Sequence, residues 1–269
     1  MKLCDFVPNT YLYPYISRYW IWENEGCLPK VFAGTGAELM FTYGNPLIVI
    51  RADGSQIKLP ESYLMMPRFG SYKLQQQEPY GFISIRFRAG AFRHFCKNSS
   101  VDFIDSFVDI EDLWGYIGAE FRERVVSAKT IAAKIQIIEH YLFYFLEKNR
   151  KMDAELDLMT RLLLYDYNKI NVSMLCKDSC LSQRQIERKL KEAVGVSPKT
   201  FQRISRFEAL IKELLLNHQQ KYLEIAMDYG YYDQSHFLKE FKKYVGEYPS
   251  AFLQEKNFMS NFYNKKLHI

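Results

Sequence analysis

The sequence predicts an α+β chain: a small antiparallel β-barrel or sandwich with helices, followed by an all-α part of two helix-turn-helix units joined by a connecting helix. Three observations predict it. Short aromatic runs separated by turn residues fill residues 11–88, the apolar period lengthens to three and four residues from about residue 91, and two C-terminal stretches repeat one another at a constant offset of 51 residues. A length of 269 residues leaves room for about two domains of ordinary size.

In the first part the strand-like runs are Tyr11 to Trp22, Glu38 to Tyr43, Leu47 to Arg51, Ser62 to Met66, and Tyr80 to Arg88. In the last, Ile83, Ile85 and Phe87 alternate with Ser84, Arg86 and Arg88, a period of two that marks a half-buried strand. Tyr43-Gly44-Asn45-Pro46, Asp53-Gly54 and Glu78-Pro79 supply the intervening turns. Farther on, Ile131, Ile135, Ile138, Leu142 and Phe145 form one stripe on a long helix, and Leu156, Met159, Leu163 and Leu164 form another. Either stripe serves equally as a cover for the barrel or as the seam of a symmetric dimer.

Past Asn168 the pattern is wholly helical. Asn171 is a cap for a short helix reaching about Ser179, and Cys180-Leu181 form the turn into a second helix that starts at Ser182 and stops at Gly195. Pro198 opens a longer helix to about Leu216, with Phe201, Ile204, Phe207, Ile211, Leu214 and Leu215 on its buried side. Leu223 to Tyr229, Gly230-Tyr231-Tyr232 and Gln234 to Val245 then repeat the short helix, the turn and the second helix. Gln183/Gln234, Lys191/Lys242, Val194/Val245, Gly195/Gly246, Pro198/Pro249 and Phe201/Phe252 coincide at the one offset.

Such helices suit the major groove of DNA. Ile186 and Leu190 anchor the first, leaving Gln183, Arg184, Glu187, Arg188 and Lys191 outward; Phe237 and Phe241 anchor the second, leaving Gln234, Ser235, Leu238, Lys239 and Lys242. Arg and Gln make bidentate contacts to guanine and adenine edges, and Leu238 can pack on a thymine methyl. Charge follows the same division: residues 1–170 carry 20 basic and 20 acidic side chains, whereas 171–269 carry 16 and 11, so the whole surplus of +5 lies in the repeat. A connecting helix of roughly 18 residues is about 27 Å long, close to the roughly 34 Å between successive major grooves. The outward residues differ in chemistry, which predicts a bipartite, asymmetric site: base discrimination mostly from the first unit, affinity and register from the second.

The quoted residues resemble a known family. Leu181-Ser182-Gln-Arg-Gln-Ile-Glu-Arg188, Gly195-Val-Ser-Pro198, Arg206-Phe207 and Tyr229-Gly230-Tyr-Tyr-Asp-Gln-Ser-His-Phe237 are similar to the signature of AraC/XylS-type transcriptional regulators, over about residues 168–255. The resemblance implies promoter binding through both units, usually as an activator contacting RNA polymerase, with Arg184, Glu187, Arg188, Gln234, Ser235, Leu238 and Lys239 reading bases. It also implies a cupin-like N-terminal β-domain that senses a small ligand or mediates dimerisation. Leu190 where Phe is more usual, and Tyr231 for the common Phe, are departures that keep an apolar anchor. The expected organisation is a sensor or regulatory domain over residues 1–125, a dimerisation or linker region over 126–168, a DNA-binding domain over 169–256 and a tail over 257–269.

Other classes find little support. No run of about 18 apolar residues exists, so no membrane span is expected, and Asp5, Pro8 and Asn9 interrupt any signal-peptide core, which favours the cytoplasm. Five scattered cysteines and five dispersed histidines form no metal set or disulfide framework, and no cofactor is expected. An enzyme built on the β-domain is the alternative; its only support is a set of aromatic residues and the acids Glu38 and Glu61, without a recognisable nucleophile, phosphate or dinucleotide motif. A sensor is expected to take an apolar or amphipathic effector in a barrel bounded by Tyr19, Trp20, Phe41 and Phe87. Promoter DNA, RNA polymerase, that effector and a second copy of the chain are the expected partners. The tail Phe258 to Ile269 either stays free, touches phosphate or packs back on the body.

Overall fold

The computed structural model describes residues 2–23, 31–51, 53–77, 79–216 and 222–253, so the tail over 257–269 lies outside the described residues. The strands are β1 (Lys2–Phe6), β2 (Ile16–Glu23), β3 (Glu38–Gly44), β4 (Ile48–Ile50), β5 (Gln56–Lys58), β6 (Ser62–Met65), β7 (Lys73–Gln75), β8 (Tyr80–Phe87) and β9 (Phe107–Asp109). They form an antiparallel six-stranded sheet in the order β1-β2-β8-β3-β6-β9 and a three-stranded sheet in the order β5-β4-β7. The predicted run from Tyr11 begins as a turn instead: Leu12 N and Tyr13 N both donate to Asn9 O, and Ile16 N to Leu12 O.

Side chains alternate across the large sheet, and both of its faces are covered. Ile21, Leu39, Phe41, Ile83 and Ile85 face a core closed by helices, while Trp20, Trp22, Met40, Tyr80 and Phe82 face Leu47, Val49, Leu59 and Leu74 around the small sheet. After β9 come α1 (Ile110–Trp114), α2 (Tyr116–Ser127), α3 (Ile131–Asn149) and α4 (Ala154–Tyr165). Ile138, Leu142 and Phe145 of α3 pack on the sheet with Phe121 of α2, whose ring stacks on Tyr141 at 4.5 Å. The first sequence stripe is therefore the cover of the sheet.

The second stripe has a different use. The remaining helices are α5 (Val172–Asp178), α6 (Gln183–Val194), α7 (Pro198–Leu216), α8 (Tyr222–Asp228), α9 (Gln234–Val245) and α10 (Pro249–Phe252). Leu156, Met159 and Leu163 of α4 join Leu175, Ile186, Leu190, Val194 and Phe201 in one core, so the first unit reaches back into the segment 126–168. Ile204, Phe207, Leu210, Ile211, Leu214 and Leu215 of α7 all belong to the core of the second unit, with Phe237, Phe241 and Phe252. The connecting helix thus spans both units, but unequally: Phe201 serves the first and nearly all the rest the second.

Candidate DNA-binding surface and the cavity behind it

Both candidate reading helices are built by strong local signals. Ser182 and Gln185 form a reciprocal capping box, with Ser182 N donating to Gln185 Oε1 at 2.8 Å and Gln185 N to Ser182 Oγ at 3.4 Å. In the second unit Asp233 Oδ1 accepts from His236 N at 2.7 Å. Gly195 and Gly246 end the two helices with φ of 84° and 83°, a conformation that side chains with a Cβ rarely adopt. A Cβ at Gly195 would also lie 2.2 Å from Ile104 Cδ1.

The outward faces fall where the sequence places them. Gln183, Arg184, Glu187, Arg188 and Lys191 are exposed on α6, and Gln234, Ser235, Lys239 and Lys242 on α9. Each face borders a groove, and the two grooves are related by the repeat: Arg184, Glu187, Arg188, Lys191 and Ser197 line one, and Ser235, Leu238, Lys239, Lys242 and Tyr248 line the other. Gln183 Nε2 donates to Glu187 Oε1 at 2.8 Å, which holds that carboxylate along the helix beside Arg184 and Arg188. Leu238 is only half exposed, because part of its side chain packs on the core of its own unit. His236, with its ring 5.3 Å from Tyr231, lies at the start of α9.

The inner flanks are moored differently. Glu240, 3% exposed in α9, accepts hydrogen bonds from Arg203 Nη2 at 2.9 Å, Arg206 Nη2 at 3.0 Å and Tyr231 Oη at 2.7 Å. Burial by itself raises the pKa of this carboxyl; the hydrogen bonds from Tyr231, Arg203 and Arg206 outweigh it and hold the group below the usual carboxylate range. Its counterpart in α6, Lys189, is instead 2.6 Å from Asp153 Oδ2, just ahead of α4.

Behind the second unit lies a cavity between the two sheets and α7. Its walls include Trp20, Met40, Tyr63, Met65, Leu74 and Phe82, and its polar groups are Glu38, Arg68, Arg86 and Glu208. The register that pairs Glu38 with Arg86 and Met40 with Ser84 gathers the polar side chains on one face: Arg86 bonds Glu38, and Ser84 Oγ donates to Glu38 Oε2 at 3.3 Å. Arg86 Nη2 is also 3.6 Å from Glu208 of α7, which accepts from Thr35 Oγ1. Arg68 is 7% exposed and its Nε donates to Phe32 O at 2.9 Å, while its Nη1 has no hydrogen-bond partner among the described residues. The void itself is about 30 Å³, far smaller than the roughly 300–1,000 Å³ of a pocket that holds a small molecule.

Residues 175–255 match the family model of a helix-turn-helix domain, whose type is that of the AraC regulators. The chain carries an AraC-type helix-turn-helix domain. It is a DNA-binding transcription regulator. Residues 5–109 match a second family, a domain of unknown function (DUF6597). No curated protein matches the chain significantly. Among solved structures it is similar to ToxT from Vibrio cholerae, at 14% identity over 87% of this chain and 97% of that one with a TM-score of 0.49. A structure of ToxT bound to an unsaturated fatty acid is similar at 12% identity, 92% and 96% coverage and a TM-score of 0.47.

Within the AraC-type domain the predicted reading residues come together on two faces; the predicted effector residues do not. Trp20 lines the cavity, but Tyr19, Phe41 and Phe87 point to the opposite side of the sheet, into the core under the helices. The reason is the pleat: Tyr19 and Trp20 are neighbours on β2 and must face opposite ways. Tyr19 Oη instead donates to Glu139 at 3.2 Å. Glu61 lies apart from Glu38, in a surface groove beside Tyr116 and Glu120. No local pattern in the sequence marks Arg68, Glu208, Asp153, Lys189 or Glu240; the alternation of Arg86 with Ile83, Ile85 and Phe87 puts Arg86 on the polar face of a half-buried strand, but that face lies under the small sheet and α7. Among the described residues no group of three or more His, Cys, Asp or Glu could hold a metal ion, and no helix is long and apolar enough to cross a membrane.

Proposed function

We propose that the chain activates transcription from the cytoplasm by laying α6 and α9 into two successive major-groove segments of promoter DNA, where it contacts RNA polymerase. The observation that carries this reading is the pair of equivalent basic grooves, each alongside a capped, glycine-stopped helix with its anchors buried and its cationic face open. Arg184, Glu187 and Arg188 supply most of the base discrimination. Ser235, Lys239 and the exposed edge of Leu238 supply register and affinity. The mobility of the chain's own upstream DNA tests the reading. With about 6–10 phosphates neutralised, affinity falls about 10³–10⁵-fold between 50 and 200 mM salt; an affinity indifferent to salt would contradict it.

The cavity supports control by a small molecule. Trp20, Met40, Leu74 and Phe82 ask for an apolar body, and Arg68 Nη1, without a hydrogen-bond partner among the described residues, asks for one acceptor or anionic oxygen. The void of about 30 Å³ is far smaller than the roughly 300–1,000 Å³ of a pocket for a small molecule, so an effector has to displace side chains, for which Met40 and Met65 are suited. Ligand at about a hundred times its dissociation constant stabilises by about 2.7 kcal/mol, or roughly 5–10 °C in a chain of this size. A thermal-shift screen of aryl and alkyl carboxylates beside their neutral amides checks it: acids raise the melting temperature of the wild type and not of Arg68→Leu. A panel without effect on either removes the sensor from the proposal. The homodimer has to use surfaces other than the stripes on α3 and α4, which are both buried within the chain.

A further inference from the structure

The two units are repeats, and Lys189 and Glu240 occupy the same place in them, yet their partners come from different parts of the chain. Glu240 is held by Arg203 and Arg206 of α7 and by Tyr231 of the turn before α9, all within the DNA-binding part. Lys189 reaches outside it, to Asp153 at 2.6 Å, both side chains being part-buried at 34% and 25% exposure. Asp153 caps α4 through Leu156 N at 3.0 Å, and its carbonyl accepts from Arg93 Nη2 at 3.3 Å. Arg93 also pairs with Asp157 at 2.7 Å, where His94 Nε2 stands at 3.5 Å. Arg93 and His94 form the short 3-10 turn Ala91–His94 that follows β8, the strand whose Phe82 and Arg86 line the cavity. Polar contacts therefore run from the end of the cavity strand to the flank of α6.

The far end of α6 is fixed from the same side. Ser100 Oγ donates to Ala193 O at 2.8 Å, and Ile104 fills the space beside Gly195. The second unit meets the β-domain through Ala33 N to Tyr244 O at 3.1 Å, Phe32 against Phe252 and, from α7, Glu208, which lies 3.6 Å from Arg86 and accepts from Thr35 Oγ1, whereas Glu240 of α9 itself takes its arginine partners from α7.

We propose that Lys189 and Asp153 are positioning residues that set the first reading helix from the cap of α4, the point at which Arg93 of the N-terminal half bears on the first half-site. The proposal rests on the reading that α6 and α9 each enter a groove. Its test uses the full chain and the duplex that the full chain selects from a randomised library. Failure to select any duplex strikes the groove reading itself; the positioning role is read from hydroxyl-radical footprints resolved by half-site.

Asp153→Asn keeps the cap on α4, since Asn caps about as well as Asp, and Lys189→Met keeps most of the side-chain volume. Each lowers protection of the first half-site about two- to five-fold, the scale of a partly exposed ion pair, and leaves the second unchanged. The double variant is no worse than either single one, and Lys189→Arg retains wild-type protection. Equal loss at both half-sites, no loss at either, multiplied losses in the double variant, or an Arg variant as weak as the Met variant would each overturn the proposal.

Discussion

Alanine at Arg184 and Arg188 together is expected to cut sequence-specific DNA binding about 30-fold or more while leaving the melting temperature of the free protein almost unchanged. Both side chains are exposed on α6, one turn apart, and line the same groove, so neither supports the core formed by Ile186 and Leu190. In the major groove each can make a bidentate contact to guanine worth about 1–3 kcal/mol of discrimination. Losing both removes about 2–6 kcal/mol, on the order of 30-fold to 10⁴-fold in affinity for the specific duplex over a scrambled one. Competition mobility shifts at one fixed salt concentration measure this ratio. If the double variant discriminates as well as the wild type, α6 does not read bases.

Glu240→Ala is expected to be the most damaging single change in the second unit. It deletes the acceptor of three donors and leaves Arg206, 16% exposed, beside Arg203 and Tyr231 with no compensating charge. Breaking a buried pair costs about 3–5 kcal/mol, and the lower end applies because Arg203 is 44% exposed and can rehydrate. The sign of the pH dependence follows from the depressed carboxyl. Folded Glu240 titrates below its unfolded value of about 4.3, so its contribution is complete above that pH and is lost as pH falls through the lower, folded value. Acid titrations of thermal stability in the wild type and in Glu240→Gln check both points: the wild type loses stability in this window more steeply than the variant. Parallel curves would mean that Glu240 contributes no linked proton.

The helical part was legible because its signals are local. Ser182 with Gln185, Asp233, the two stopping glycines and Pro198 each act within one turn of chain, and α6, α7 and α9 begin and end where these residues place them. In the β-domain β8 was also plain from its alternation, and β3 from a short aromatic run ahead of the turn Tyr43-Gly44-Asn45-Pro46. The small sheet was not: β5 and β7 have three residues each, too few to show a period. That omission explains a second one. With no cover expected over the face bearing Ser84 and Arg86, these side chains read as solvated, whereas the small sheet and α7 close over them. The ion pairs that matter most escape sequence reading for another reason: Asp153 and Lys189 lie 36 residues apart, and Arg206 and Glu240 34, with no periodicity to connect them.

Because Leu156, Met159 and Leu163 close the hydrophobic interior around Ile186 and Leu190, the first repeat does not own all of its walls. The second completes its interior mostly from α7, which lies inside the duplicated region. The halves of the duplication are therefore unequal as modules. A cut ahead of residue 169 strips the first of a side it shares with the N-terminal half of the chain and leaves the second nearly whole, so any exchange of N-terminal parts has to keep α4.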